Sequence, residues 1–394
     1  MDNFGLSRLS ELTLRVETDR HGPFVFQIGL DPAQLVLPMQ RVEDAHQIFA
    51  DSPLAHVANR LEREVIASSI FGTNTIEGGT LTEDETAAAM DMPAETVRGI
   101  EELRVVNLRA AYDEAQKASA APGWRLSVEF VCRIHSLITQ GIPHPDNKPG
   151  LLRDTPKHRV TVVGDEAHGG RYKPPQFGSD VRRLLHALMD WHTQLQDAGI
   201  HPLIRAPLVH YYYELIHPFW DGNGRVGRVI EATLLLSEGY RYAPFAMARY
   251  YLENIDAYFS QFNACRKAAS KHLPHPNTGF VLLHQEGMRQ TILSLQKRTN
   301  RIISLLLFET HVRDLLDKKE INARQYTILA QLRAGPIPIN QMRVEPWYTS
   351  LYLKLGEKTK TRDLRGLRAL QLAYLDLDNQ IFPGFIKPPN IKPL

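Results

Sequence analysis

The 394-residue sequence predicts a mainly α fold with one β-hairpin set into it and a smaller domain at its C-terminal end. Three observations carry this. Apolar residues recur at three- or four-residue spacing through most segments between Val42 and Leu315, which is the period of amphipathic helices. The stretch HRVTVVG (158–164) is β-branched and near alternating, DEAHGG after it is turn material, and RYKPP ends in prolines that cannot continue a ladder. Pro274 and Pro276 mark a boundary before a further set of elements. At roughly 100–200 residues per domain, two or three units are expected.

Composition narrows the classes. Lys and Arg total 46 against 44 for Asp and Glu, so the net charge of +2 gives no overall pull toward nucleic acid or anionic membrane, and any basic surface is local. The apolar share of 43% and charged share of 23% are those of an ordinary globular protein. Cys132 and Cys265 are far apart and lack CxxC spacing, which suits a reducing compartment rather than a disulfide framework or a zinc site. No signal-peptide pattern opens the chain, and the apolar run Ile302–Phe308 falls far short of the ~20 residues a membrane-spanning helix needs. A cytoplasmic location without membrane contact is the expectation.

In chain order, Pro32 and Pro38 are expected to break any early helix, and PFVFQIGL reads as a short strand. A helix from about Val42 to Phe71 is expected to stop at Gly72. TNTIEGGTLTEDET follows, with Thr82 and Glu85 spaced as a capping box for the helix over 85–120; the plain reading of Glu77 is a solvated turn acid. Ser127 caps a helix to Gln140 in which His135 reads as structural. Helices over 179–195 and 203–216 deliver the chain to HPFWDGNGRVGR, and a helix from Arg225 to Glu238 is stopped by Gly239.

That twelve-residue stretch carries the chemistry. A helix N-terminus preceded by Gly222, Asn223 and Gly224 presents unpaired backbone amides to an anion, and small residues let a phosphate approach them. Arg225 and Arg228, three apart, share a helical face and offer planar forks for phosphate oxygens. Asp221 is a hard oxygen ligand of the kind Mg²⁺ uses beside phosphates. His217 offers an imidazole that can take a proton from an attacking hydroxyl. There is no GxxxxGK[ST], so this is not a P-loop.

HPFWDGNGRVGR matches the Fic motif HxFx(D/E)GNGRxxR at every specified position, and the chain resembles that family over about residues 40–270. TNTIEG (73–78) looks like the inhibitory pattern (S/T)xxxE(G/N) of Fic proteins that restrain themselves. GLLRDTPKHRVTVVG with YKPP is similar to the family's flap, and ARYYLENIDAYFSQFNACR resembles the segment that closes over adenosine. The resemblance implies a Fic-type helical bundle with a β-hairpin flap. It also implies transfer of AMP from MgATP to a Ser, Thr or Tyr hydroxyl of a protein bound along the flap, or of the chain itself. In that scheme His217 is the general base, Asp221 the Mg²⁺ ligand, Gly222, Asn223 and Gly224 the amide cradle, Arg225 and Arg228 the phosphate-binding arginines, and Asn254 a nucleotide contact. Glu77 would occupy the fork of Arg228 and block productive ATP binding; the same Glu could instead position a water that removes AMP from a modified target.

Beyond that region a long helical pattern covers 280–320, read first as helices on the core and second as a homodimer contact. Residues 349–382 read helix, turn, helix, hairpin and resemble a winged helix-turn-helix. Lys358, Lys360, Arg362, Arg365 and Arg368 against Asp363 make its second helix basic, which suits DNA, protein recognition or a merely solvated face. The resulting division is 1–52, an N-terminal region; 53–275, the core with its inhibitory segment 73–78 and flap 158–175; 276–320, a helical connector; and 321–394, the winged-helix-like domain. A DNA-binding regulator with a nucleotide-sensing Fic unit is the alternative to the autoinhibited enzyme. The final KPPNIKPL is expected to be disordered.

Overall fold

A computed structural model describes residues 12–50, 55–154 and 160–392. By their contacts these form two units, Met1–Gln296 and Lys297–Leu394.

The first unit opens with an antiparallel pair, β1 (Leu14–Val16) and β2 (Phe24–Phe26). The buried Asp180 carboxylate anchors it by accepting from the amides of Asp19, Arg20 and His21. Helices α1 (Pro32–Ala50), α2 (Ala55–Ile76), α3 (Glu83–Ala89), α4 (Ile100–Ser119) and α5 (Val128–Thr139) follow. Then come α6 (Gly178–Asp197), α7 (Pro202–Ile216), α8 (Asn223–Ser237), α9 (Ala243–Glu253), α10 (Ile255–Ser270) and α11 (Thr278–Asp317), the last running on into the second unit. The centre is α7, buried nearly all round and packed on α6 and α8, as expected of a helix without a polar face.

Several expectations change. Pro32 and Pro38 do not break α1: Pro32 stands at its first position, where no amide bond is lost, and Leu35, Met39, Val42, Ala45 and Phe49 bury a face that offsets the cost of Pro38. The helix over 85–120 divides into α3 and α4 around Pro93, while the Thr82–Glu85 capping box is present. Most consequential, α2 does not stop at Gly72 but runs to Ile76. Gly72 lies against α9, where a Cβ would come 2.9 Å from the Ala248 backbone, so it is a site of close helix contact rather than a terminator.

The hairpin expected over 158–175 is a chain reversal with one antiparallel bridge, Val163 to Tyr172; residues 155–159, including His158 and Arg159 of the expected strand, lie outside the described residues. Pro174 and Pro175 deny the returning strand its amides. The Gln176 side chain takes over, accepting from Thr161 N at 2.8 Å and donating to Thr161 O at 3.0 Å.

The second unit is built on the latter part of α11, α12 (Ala323–Leu332), α13 (Ile339–Val344), α14 (Pro346–Leu351), α15 (Glu357–Ala369) and a sheet of β3 (Ile337–Pro338), β4 (Ala373–Leu375) and β5 (Gln380–Pro383) in the order β3-β5-β4. Its boundary falls inside the segment expected as a connector, 276–320, because one helix runs through that segment and Phe308, Val312 and Leu315 join the second unit's core. Asp363 of α15 faces inward, accepting from Arg324 and Tyr352. The tail is ordered as far as Lys392: Ile391 bridges Asp376, and Lys392 N donates to Leu375 O at 2.7 Å, using the open edge of β4. Among the described residues no helix is long and apolar enough to cross a membrane.

Candidate active site

Two helix ends meet here. At the first, α2 closes in a Schellman motif: Gly79 N donates to Asn74 O at 2.7 Å and Gly78 N to Thr75 O at 3.1 Å, with Gly78 at φ 82°. This fixes Glu77 as the capping residue, and explains the two glycines after it. A carboxylate at a helix C-terminus is disfavoured by the macrodipole, so Glu77 needs a cation.

That cation comes from α8. Arg228, buried, donates Nη2 to Glu77 Oε1 at 2.6 Å and to Thr73 O at 3.4 Å. Glu77 reaches it by crossing the first turn of α8 at Gly224, where a Cβ would overlap its Oε1. The close approach of α2 to α9 at Gly72 brings the carboxylate this far.

Behind Arg228 runs a buried chain not anticipated from the sequence. Arg228 Nη1 donates to Tyr258 Oη (3.4 Å), which is 3.0 Å from His210 Nε2, and His210 Nδ1 is 2.6 Å from Glu231 Oε2. Arg228 can only donate and an ionised Glu231 only accept. The direction therefore settles the tautomer: Tyr258 donates to His210 Nε2, and His210 donates from Nδ1. Burial and nearby carboxylates push the Tyr258 phenol far up, so it stays protonated, and burial opposes the Glu231 charge less than His210, His284 and Tyr251 support it.

The second helix end is that of α7, whose C-cap is His217, in the left-handed region at φ 49° and ψ 63°. Arg153, itself buried, holds this turn by donating Nε to His217 O at 2.6 Å and Nη2 to Ile216 O at 3.2 Å. Phe219 fills the core and stacks on His135 with ring centroids 3.6 Å apart. His135 donates Nε2 to Asp221 O (3.1 Å) and accepts from Gly150 N at Nδ1 (2.9 Å), so it is neutral, and burial takes its pKa down to about 4. It is structural, and it fastens the loop that carries Asp221.

Asn223 turns its side chain back on the loop, accepting from Phe219 N at 3.0 Å and donating to Phe219 O at 2.8 Å. Gly222, at φ 82°, provides no side-chain cap, so the first amides of α8 keep the polarity an anion needs. Arg225, buried, donates to Asp221 at 3.0 Å. Burial raises the Asp221 carboxyl, but Arg225 and the Gly222 amide outweigh it and hold it below the usual range.

A cavity of about 320 Å³ opens over these ends. It brings together Glu77, His217, Gly224 and Arg228 among the anticipated residues. Asp221, Gly222, Asn223 and Arg225 lie on the same loop and helix turn but outside its lining. Asn254 caps the α9–α10 junction, donating to Tyr250 O at 2.9 Å, and does not line it. Its lining also includes the rings of Tyr172, Phe259 and Phe262 and the turn residues Gly164, Asp165 and His168. There His168 is held between Asp165 (2.9 Å) and Asp256 (3.1 Å), and Asn263 donates to the carbonyls of His168 and Gly170. No group of three or more His, Cys, Asp or Glu able to hold a metal occurs among the described residues.

Residues 125–235, which include the His217 turn and α8, match the Fic/DOC family. Over those residues the chain is similar to Fic domains. Over 185 residues it is 26% identical to the protein adenylyltransferase Fic of Nematostella vectensis, a match covering 46% of this chain and 40% of that protein. The chain thus spans about two fifths of the length of the curated relatives it matches. A Fic family protein from Desulfovibrio desulfuricans G20 superposes with a TM-score of 0.54 at 19% identity, covering 90% of this chain and 96% of that one. A Fic domain containing signaling protein from Bacteroides thetaiotaomicron gives 0.55 at 20% identity over 66% and 96% of the two chains. These structural likenesses establish the mainly helical Fic fold.

Proposed function

We propose that the protein is an autoinhibited adenylyltransferase that moves AMP from MgATP to a Ser, Thr or Tyr hydroxyl of a protein. The observation that carries this is the 2.6 Å pair between Glu77 and Arg228 across the amide end of α8, in a cavity that also contains His217. His217 takes the hydroxyl proton as the oxygen bonds to the α-phosphorus and pyrophosphate departs. The α8 amides and Arg225 bear the charge that develops on phosphate oxygens, and Arg228 binds the terminal phosphate once Glu77 leaves it. Asp221 supports the Mg²⁺ requirement, since one ionised carboxylate beside substrate phosphates is a donor set this ion accepts. Mg²⁺ would neutralise phosphate charge there. The aromatic rings in the cavity lining suit a base and sugar. The flap exposes Val160 and Val162, an edge on which a target segment can add as a strand.

The test is labelled AMP incorporation by wild type, Glu77→Gly and His217→Ala. Transfer that is low in wild type, high in Glu77→Gly and absent in His217→Ala supports the reading; equal incorporation in all three sinks it.

For the second unit we retain the winged-helix reading. With Asp363 turned inward, Lys358, Arg362 and Arg365 stand exposed on α15 at four- and three-residue spacing, a basic face for a nucleic-acid backbone. A gel shift lost on changing all three to Glu supports DNA contact, and no shift at low salt removes it.

A further inference from the structure

Glu214 stands on the last turn of α7, three residues before His217, with its Oε2 3.7 Å from His217 Nδ1 and side-chain exposures of 13% and 19%. Each side chain has a buried atom without a hydrogen-bond partner: His217 Nδ1, which lies toward Glu214 Oε2, and Glu214 Oε1. A carboxylate here is opposed twice, by burial and by the negative end of the α7 macrodipole. Among the described residues its one ion-pair partner is His217. Space is reserved for it as well, since a Cβ at Gly227 would come 2.7 Å from Glu214 Oε1. An acid kept in so unfavourable a place, beside a base with an unsatisfied nitrogen, calls for a role in the chemistry of that base.

We infer that Glu214 is the positioning residue of His217. A small contraction of the 3.7 Å separation turns the pair into a hydrogen bond from Nδ1–H to the carboxylate. The tautomer is then fixed, leaving Nε2 as the ring's basic nitrogen, and the carboxylate stabilises the imidazolium formed when the hydroxyl proton arrives. Glu214 gains no proton. The proton stays on Nε2 while the new oxygen–phosphorus bond forms and the α-phosphorus to pyrophosphate bond breaks, and is lost to water afterwards.

Other charged groups lining the cavity are committed elsewhere. Glu77 pairs with Arg228, Asp165 with His168, and Arg266 lies over the Tyr172 ring while donating to Asn263. Arg153 acts on the His217 carbonyl, not on its ring. The phenols of Tyr172, Tyr213 and Tyr258 are pushed up by burial and stay protonated near neutrality.

This role rests on the transferase reading, and the experiment separates the two. Glu214→Gln and Glu214→Asp are made in the Glu77→Gly background and AMP transfer is followed across about pH 5.5–9. Glu214→Gln is expected to lower kcat about 100-fold with the KM for ATP within about twofold, and to move the acid limb of the profile to lower pH. Glu214→Asp is expected to recover part of both. A kcat within about threefold of the parent, or a raised KM with an unmoved acid limb, overturns the assignment. If the Glu77→Gly parent transfers no nucleotide, the transferase reading fails by itself. The dyad is then read from the His217 ring by NMR titration: a pKa lowered in Glu214→Gln supports it, and an unchanged one overturns it.

Discussion

Replacing Glu77 by Gly removes the carboxylate that grips Arg228 and leaves the arginine to a nucleotide. The arginine is buried and the Glu77 side chain is 28% exposed, so solvent screens this pair only in part. A charge-assisted hydrogen bond of that kind contributes roughly 1.5–3 kcal/mol. Converted at RT, freeing the fork raises the population able to receive a terminal phosphate by roughly 10–150-fold. Arg228 keeps its bonds to Tyr258 and the Thr73 carbonyl, so it remains aimed at the cavity. The assay is the initial rate of AMP incorporation from α-labelled ATP into a lysate or the chain itself, for wild type, Glu77→Gly and Glu77→Gln. Transfer should rise in that 10–150-fold range while folding stability drops by about 1–3 kcal/mol, because a buried guanidinium loses its partner. Opposite signs exclude a general improvement in folding as the cause. Rates within about threefold of wild type would show that the pair does not restrain the site.

Three further outcomes follow from the same geometry. Tyr258→Phe takes the Tyr258 hydroxyl away from Arg228 and His210, and in the Glu77→Gly background should raise the KM for ATP about tenfold with kcat within about threefold. Gly72→Ala would ordinarily stabilise a helix by about 1 kcal/mol. Here a Cβ 2.9 Å from the Ala248 backbone should instead cost about 1–3 kcal/mol in urea denaturation and, by lifting α2 from α9, raise basal transfer; a stabilised variant would contradict the packing. Burial lowers the pKa of His135 to about 4 and of His192 to about 3, so both are neutral when folded, whereas the unfolded chain binds their protons below about pH 6.5. The stability they contribute is complete above about pH 6.5 and is lost as pH falls toward 4, at up to about 1.4 kcal/mol per unit for each; a flat urea midpoint between about pH 7.5 and 5 would count against it.

The residues proposed for acid–base and phosphate-handling roles could be picked out directly, since His217 to Arg228 are contiguous and a helix N-terminus favours anions by local geometry alone. The Thr82–Glu85 and Ser127 caps were equally local. The end of α2 was misplaced because glycine is both a helix stop and a contact residue, and only the partner helix decides which. Gly72 faces α9, whereas Gly78 adopts the left-handed angle. The flap retained a single bridge because the prolines removed donors that the Gln176 side chain replaced, a substitution that no pairing pattern reveals.

The sequence by itself determined the helical class and the make-up of the His217 loop, because those follow from residue types at short spacing, whereas Glu77 stood out only through its resemblance to the inhibitory pattern, its neighbours alone reading as those of a turn acid. The tertiary structure alone decided which groups surround them. Tyr258, His210 and Glu231 come from three different helices, Arg153 reaches the His217 turn from a distant loop, and Glu214 becomes meaningful only once its carboxylate is seen beside an unsatisfied imidazole nitrogen. Through-space contacts of buried polar groups depend on how helices pack, and packing is set by the whole core rather than by any one segment.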